Sequence, residues 1–172
     1  MSRQLLGRIA ALFYVLNFVL GGLALMWTQK GQLAAADRIT LLAAADYAVV
    51  ALLLGLLFQP AGRALSWTVA VVGLAGCALS AAAPLHLFTS PVNALAVFGL
   101  YCLGLGTLIV RSAMLPRWIG ALLMLGGFSW LTFASPALTQ QLAPWNMAPG
   151  AIAELIFTLW LLIFGVRVRA QA

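Results

Sequence analysis

An all-α, polytopic bundle of six transmembrane helices follows from three features of the 172-residue chain. Its composition is 65% hydrophobic and 7% charged, a balance that a water-soluble globule of this size does not carry. Charge is absent from Arg8 to Lys30 and from Arg117 to Glu154, and between Arg63 and Arg111 only the titratable His86 interrupts the apolar run. About 20 apolar residues suffice to cross a bilayer as a helix, and in hydrocarbon a helix satisfies its own backbone. Turn and cap signals cut the chain between these runs.

The first span runs from about Leu5 to Trp27 and stops at the polar TQKGQ segment. The second, 38–58, is expected to start after Asp37 as N-cap and to break at QPAGR. The third covers 66–87 and ends around Pro84. Ser90 and Pro91 supply an N-cap and a first-turn proline for the fourth, 91–111. SAMLPR is a short turn before the fifth, 118–135, and a longer loop, PALTQQLAPWNMAPG, leads to the sixth, 149–166. These lengths leave one transmembrane domain over 1–172 and no room for a soluble one.

Cations set the expected orientation. With both termini inside, Arg3, Arg8, Arg63, Arg111, Arg117, Arg167 and Arg169 fall on the cytoplasmic side and only Lys30 and Arg38 on the other. The expected orientation therefore has the N- and C-termini in the cytoplasm. The net charge of +6 is accounted for by this topology and by anionic lipid headgroups at the arginines, without a nucleic acid. AAAD at 34–37 resembles a signal-peptide cleavage site, but the apolar stretch before it is too long and TQKGQ intervenes.

A regular spacing runs through the chain. Arg8, Arg63 and Arg117 are 55 and 54 residues apart, and Asp46, Tyr101 and Glu154 are 55 and 53 apart. Three copies of one helical hairpin would give this pattern, and so would six similar spans with arginines on alternate turns.

Candidate site residues are the polar groups placed in oil. Asp46 lies inside the second span, roughly 10 Å from its start at 1.5 Å per residue, and Glu154 about one turn into the sixth. The lone His86 arrives at the same, outer end of the third span, with Asn93, Trp145 and Asn146 at that level. A carboxylate in hydrocarbon is costly and usually faces a protein interior or wet cavity, so an outer-leaflet polar pocket is expected. Each group also has a structural reading: Asp46 as an interhelical clamp, Glu154 as an anion favoured by a helix N-terminus, His86 as a solvated interfacial side chain. Asn17, halfway along the first span, is expected to hydrogen-bond across the bundle.

The chemistry these residues support stays open. Two carboxylates and a histidine are competent metal ligands, but no HExxH or close-spaced ligand pair is present, so no metal site is assigned. One histidine excludes bis-histidine haem, though not other axial ligation, and no cofactor is named by the residues. Ser80, Thr89 and Ser90 lie near His86 without a nucleophile-elbow motif. Cys77 and Cys102 read as packing residues. Gly73, Cys77, Ser80 and Pro84, facing Gly99, Cys102 and Gly106, point to tight packing of the third and fourth spans.

Three motifs carry a family resemblance: GRIAALFYVL at 7–16, IVRSAMLPRWIGALLMLGGFSWL at 109–131 and NMAPGAIAELIFTLWLLIFGV at 146–166. With these, the chain resembles a bacterial six-helix integral membrane family catalogued only as a domain of unknown function. The resemblance implies the fold and a location in a bacterial cytoplasmic (inner) membrane, multi-pass, and no catalytic roles. Three functions remain: binding of a lipid, amphiphile or cation in the pocket of Asp46, His86, Glu154, Asn93 and Asn17, in a transport-like role; a membrane enzyme with a metal or acid–base site at Asp46, His86 and Glu154; or a non-catalytic assembly partner. A homo-oligomer is compatible with all three.

Overall fold

The computed structural model describes residues 2–87 and 92–167. Seven α-helices and three short 3-10 turns make up the elements, with no strand among the described residues. Six segments are long and apolar enough to cross a membrane, so the chain is a multi-pass membrane protein. Helix α1 is Arg3–Gln29, α2 Leu33–Leu57, α3 Arg63–Ala82, α4 Ala94–Ser112, α5 Arg117–Leu131, α6 Pro136–Leu142 and α7 Ala148–Ile163.

Helix ends depart from the sequence reading where local chemistry outweighs the chosen signal. Asp37 does not cap α2: the helix starts at Leu33, because the preceding Ala34, Ala35 and Ala36 favour helix and Gly31, at φ 73°, makes the break. Helix α3 stops at Ala82, and the segment after it turns at His86 with φ 54°. Asn93 caps α4, its side chain accepting from the Leu95 amide at 2.9 Å, while Ser90 and Pro91 lie outside the described residues. The expected loop after the fifth span contains α6, begun by Ser135 as N-cap and Pro136 at the first position. Helix α7 ends at Ile163, and the chain turns at Gly165 with φ 67°.

The spanning helices form a closed ring. Each of α1 to α4 packs on the next along the chain, α5 packs on α7, and α7 returns to α1. Tyr14, Tyr101, Leu54, Leu105, Phe157 and Leu161 fill the interior and are all but inaccessible, whereas Leu12, Val19, Leu42, Leu125, Phe128 and Ile152 point outward. That outward belt is the surface expected against lipid tails.

Helices α3 and α4 pack tightly as expected, and α4 meets α5 backbone to backbone as well. A Cβ on Gly106 would stand 2.5 Å from the Gly120 carbonyl oxygen, and one on Gly99 would stand 2.8 Å from that of Gly127. The stripe on α4 therefore serves α5, whose glycines stand opposite at the same seven-residue interval. Between α3 and α4 the glycines receive side chains: Gly73 lies under Tyr101, Gly76 under Phe98 and Gly104 against Val69. The α2–α3 contact is pinned by Ser66, whose hydroxyl donates to the Gly55 carbonyl at 2.6 Å.

At the arginine-rich end, a clasp joins the two ends of the described chain. Gln4 donates to the Phe164 carbonyl at 3.3 Å and accepts from the Val166 amide at 2.9 Å. The Arg167 amide donates to the Met114 carbonyl at 2.9 Å, drawing the α4–α5 turn into the same knot.

Gly106→Val forces its side chain into the α5 backbone and is expected to destabilise by about 1 to 3 kcal/mol. Gly21→Ala meets nothing within 4 Å and is expected to leave stability intact or raise it. Denaturant titration in detergent distinguishes the two; equal losses would contradict the packing described.

Candidate functional site

Helix α7 carries Glu154 into the centre of the ring, and side chains from four other helices turn toward it. Trp130 of α5 donates its indole N–H to Oε1 at 2.6 Å, and the Cys102 thiol of α4 approaches the same oxygen at 3.5 Å. Tyr14 of α1 donates to Oε2 at 2.8 Å, and its hydroxyl also meets that of Tyr47 of α2 at 2.8 Å. With the Tyr14 proton directed to Glu154, Tyr47 is the donor to Tyr14, and its oxygen keeps acceptor capacity. Burial of a carboxylate without partners costs several kcal/mol, so this convergence is what permits Glu154 to sit there.

The aromatic rings around the carboxylate lock one another. Tyr14 and Tyr47 meet edge-on with centroids 5.3 Å apart, and Tyr47 meets Phe98 at 4.9 Å and Tyr101 at 5.8 Å. The chain's three tyrosines are thus all in this core. The Tyr101 hydroxyl is buried with no hydrogen-bond partner among the described residues.

Above Glu154 a cavity of about 510 Å³ opens along the ring axis. Its deep end holds Asn17, Tyr47, Phe98, Trp130 and Glu154; Leu25, Thr40 and Met147 stand at its mouth, with small residues such as Gly21, Gly22, Ala44 and Ala151 between. Met147 to Glu154 is seven residues along the helix, a depth of about 10 Å. The small residues are what keep the space open.

The sequence-predicted site residues separate. Glu154 and Asn17 line the cavity, and Asn17 also donates to the Ala43 carbonyl of α2 at 2.8 Å, the expected cross-bundle bond. Asp46 is buried, but neither it nor His86 lines the cavity. Among the described residues neither Asp46 oxygen has a hydrogen-bond partner within bonding distance; Asn17 is a polar neighbour, and one of its two amide hydrogens goes to Ala43. His86 is exposed beyond the end of α3, and Asn93 is exposed with its side chain engaged as the α4 cap. Asn146 is buried, its carbonyl accepting from Ser129 and its amide donating to Thr132 at 3.3 Å, while Trp145 is exposed.

Tyr14, Tyr47 and Trp130 were not singled out by sequence as partners of Glu154, and Cys102 serves the carboxylate as well as packing. A signal was present: Tyr47, Tyr101 and Glu154 recur at intervals of 54 and 53 residues, the hairpin spacing, and all three face the ring interior. Among the described residues no group of three or more His, Cys, Asp and Glu side chains is placed to hold a metal ion.

Residues 91–165 match the model of a domain of unknown function, DUF4386. The match covers α4 to α7, including Cys102, Trp130 and Glu154, whereas Tyr14 and Tyr47 come from the preceding half of the chain. No curated protein and no solved structure matches the chain.

Two substitutions separate the two acids. Glu154→Leu strands the donors of Trp130 and Tyr14 and is expected to destabilise by about 3 kcal/mol. Asp46→Leu removes two oxygens without partners and is expected to be neutral or stabilising. Unfolding of the purified variants in one detergent tests this, and a larger loss in the Asp46 variant would reverse the assignment of Glu154 as hub.

Proposed function

We propose that the protein binds a small amphiphilic ligand within the bundle, in the cavity above Glu154. The observation that carries this reading is the cavity itself. A volume of about 510 Å³ falls within the usual range of small-molecule sites, and apolar walls with a few convergent polar groups at one end are the usual build of such sites. Asn17, Tyr47 and Glu154 supply the polar end, and Phe18, Leu25 and Leu95 the wall for an apolar part. In this reading Asp46, His86 and Asn93 leave the binding set and Tyr47 and Trp130 enter it. The acid–base or metal reading at Asp46, His86 and Glu154 loses support, because the cavity that Glu154 lines is lined by neither of the other two.

The proposal includes a side of the membrane. Arg3, Arg8, Arg63, Arg111, Arg117 and Arg167 stand at the ends of helices opposite the cavity mouth, and Lys30 and Arg38 near it. Positive-inside asymmetry supports a mouth on the outside and the clasp in the cytoplasm beside anionic headgroups, and the family resemblance supports a bacterial inner membrane. Transport would require the clasp of Gln4, Val166 and Met114 to open; binding does not.

Ala151→Trp places an indole in the cavity wall. Native mass spectrometry in a neutral detergent is expected to find a small molecule retained by the wild type and absent from this variant; equal retention by both would place the bound molecule elsewhere. A reporter fused after Arg169 is expected to read cytoplasm, and an external signal would invert the sides.

A further inference from the structure

The cavity restricts the charge of its occupant. Among the described residues that line it, Glu154 is the one Asp or Glu, and no Lys, Arg or His accompanies it. The three donors that meet the carboxylate, from Trp130, Cys102 and Tyr14, are formally neutral, so hydrogen bonding supplies no counter-ion. An ionised carboxylate offers about four lone-pair sites. Two donors meet Oε1 and one meets Oε2, which leaves acceptor capacity on the oxygen bonded to Tyr14.

The rest of the lining selects among cations. Phe18, Tyr47, Phe98 and Trp130 contribute aromatic surface to the same space, and ring faces attract cations that shed water easily. A divalent metal ion is poorly served, since it needs several oxygen ligands and the lining offers one carboxylate. A neutral amphiphile would fill the volume without using the carboxylate as a counter-charge. An anion would meet Glu154 with like charge.

Resting on the reading of this space as a ligand cavity, we infer that its ligand is an organic monocation, an amphiphilic amine or quaternary ammonium compound. The cationic head lies between Glu154 and the rings of Tyr47, Phe98 and Trp130. The apolar part runs along Phe18, Leu25 and Leu95 toward the mouth. Small residues at Gly21, Gly22, Ala44 and Ala151 leave the width for it.

The test is equilibrium binding of radiolabelled octyltrimethylammonium to the full chain in a maltoside detergent. The competitors are octyl sulfate and the uncharged analogue bearing a tert-butyl group in place of the trimethylammonium head. Saturable binding is expected in the wild type, with no competition from octyl sulfate and competition by the uncharged analogue at least about tenfold weaker than by unlabelled ammonium compound. Glu154→Gln is expected to weaken binding by about tenfold or more, and Phe98→Leu, which leaves every hydrogen bond to Glu154 in place, by roughly threefold to tenfold. Phe98→Leu keeps the test decisive where the Gln variant does not fold. If the uncharged analogue competes as well as the ammonium compound and neither variant changes its binding, the inference is overturned and the cavity reading stands. If no probe binds, or if Ala151→Trp binds the ammonium compound as the wild type does, the cavity reading falls and the inference with it.

Discussion

A carboxylate in a slab of hydrocarbon has to be met by donors, and in a bundle of single-span helices those donors come from other helices. Glu154 imposes this on the whole molecule. Its oxygens draw the Tyr14, Cys102 and Trp130 side chains to one point, and Tyr47 joins through Tyr14, so five of the six spans are tied at a single depth. Lipid tails are as apolar as leucine, so burial alone does little to choose one helix arrangement over another in a membrane. Directional bonds to one residue supply that choice, because a rotation of any of these helices takes its donor away.

Packing supplies the rest and also leaves the opening. Where Gly99 and Gly106 face Gly127 and Gly120, backbones touch and no space remains. Where Gly21, Gly22, Ala44 and Ala151 face the ring axis, the same kind of small residue meets nothing large from the opposite wall, and the cavity results. Small residues thus close one part of the bundle and hollow another, depending on whether a second helix comes forward to fill the space. The remaining span, α3, makes no bond to Glu154 among the described residues, yet it is bound in by Ser66 on Gly55 and by rings resting on Gly73 and Gly76.

The fold was legible in the sequence because the signals for it are long. Apolar runs of about twenty residues, uncharged apart from Asp46 and Glu154, define the spans whatever their neighbours, and cations mark many of their ends. Short signals did less well. Asp37 has the right type for an N-cap, but three alanines before it make helix, and the SP pair at Ser135 and Pro136 starts a helix that reads as loop amid polar residues. Glu154 and Asn17 were visible as polar groups in oil. Their partners were not, since Tyr14, Tyr47 and Trp130 are ordinary residues of apolar helices until the ring brings their polar ends inward. Asp46 drew notice for its type alone, and its one-position offset from Tyr47 sends it away from the cavity. No periodicity in one chain tells which of two adjacent residues faces a ring that is assembled from six helices.

The return of α7 to α1 has a consequence for biogenesis. Helices enter the membrane in order of synthesis, and Tyr14 arrives with the first while Glu154 arrives with the last. Throughout insertion of the intervening spans the Tyr14 and Tyr47 hydroxyls and the Trp130 indole N–H have no common acceptor, and the ring has a gap where α7 belongs. The site and the closed ring therefore come into being together, in one late step, and a nascent chain that stops before residue 154 has neither.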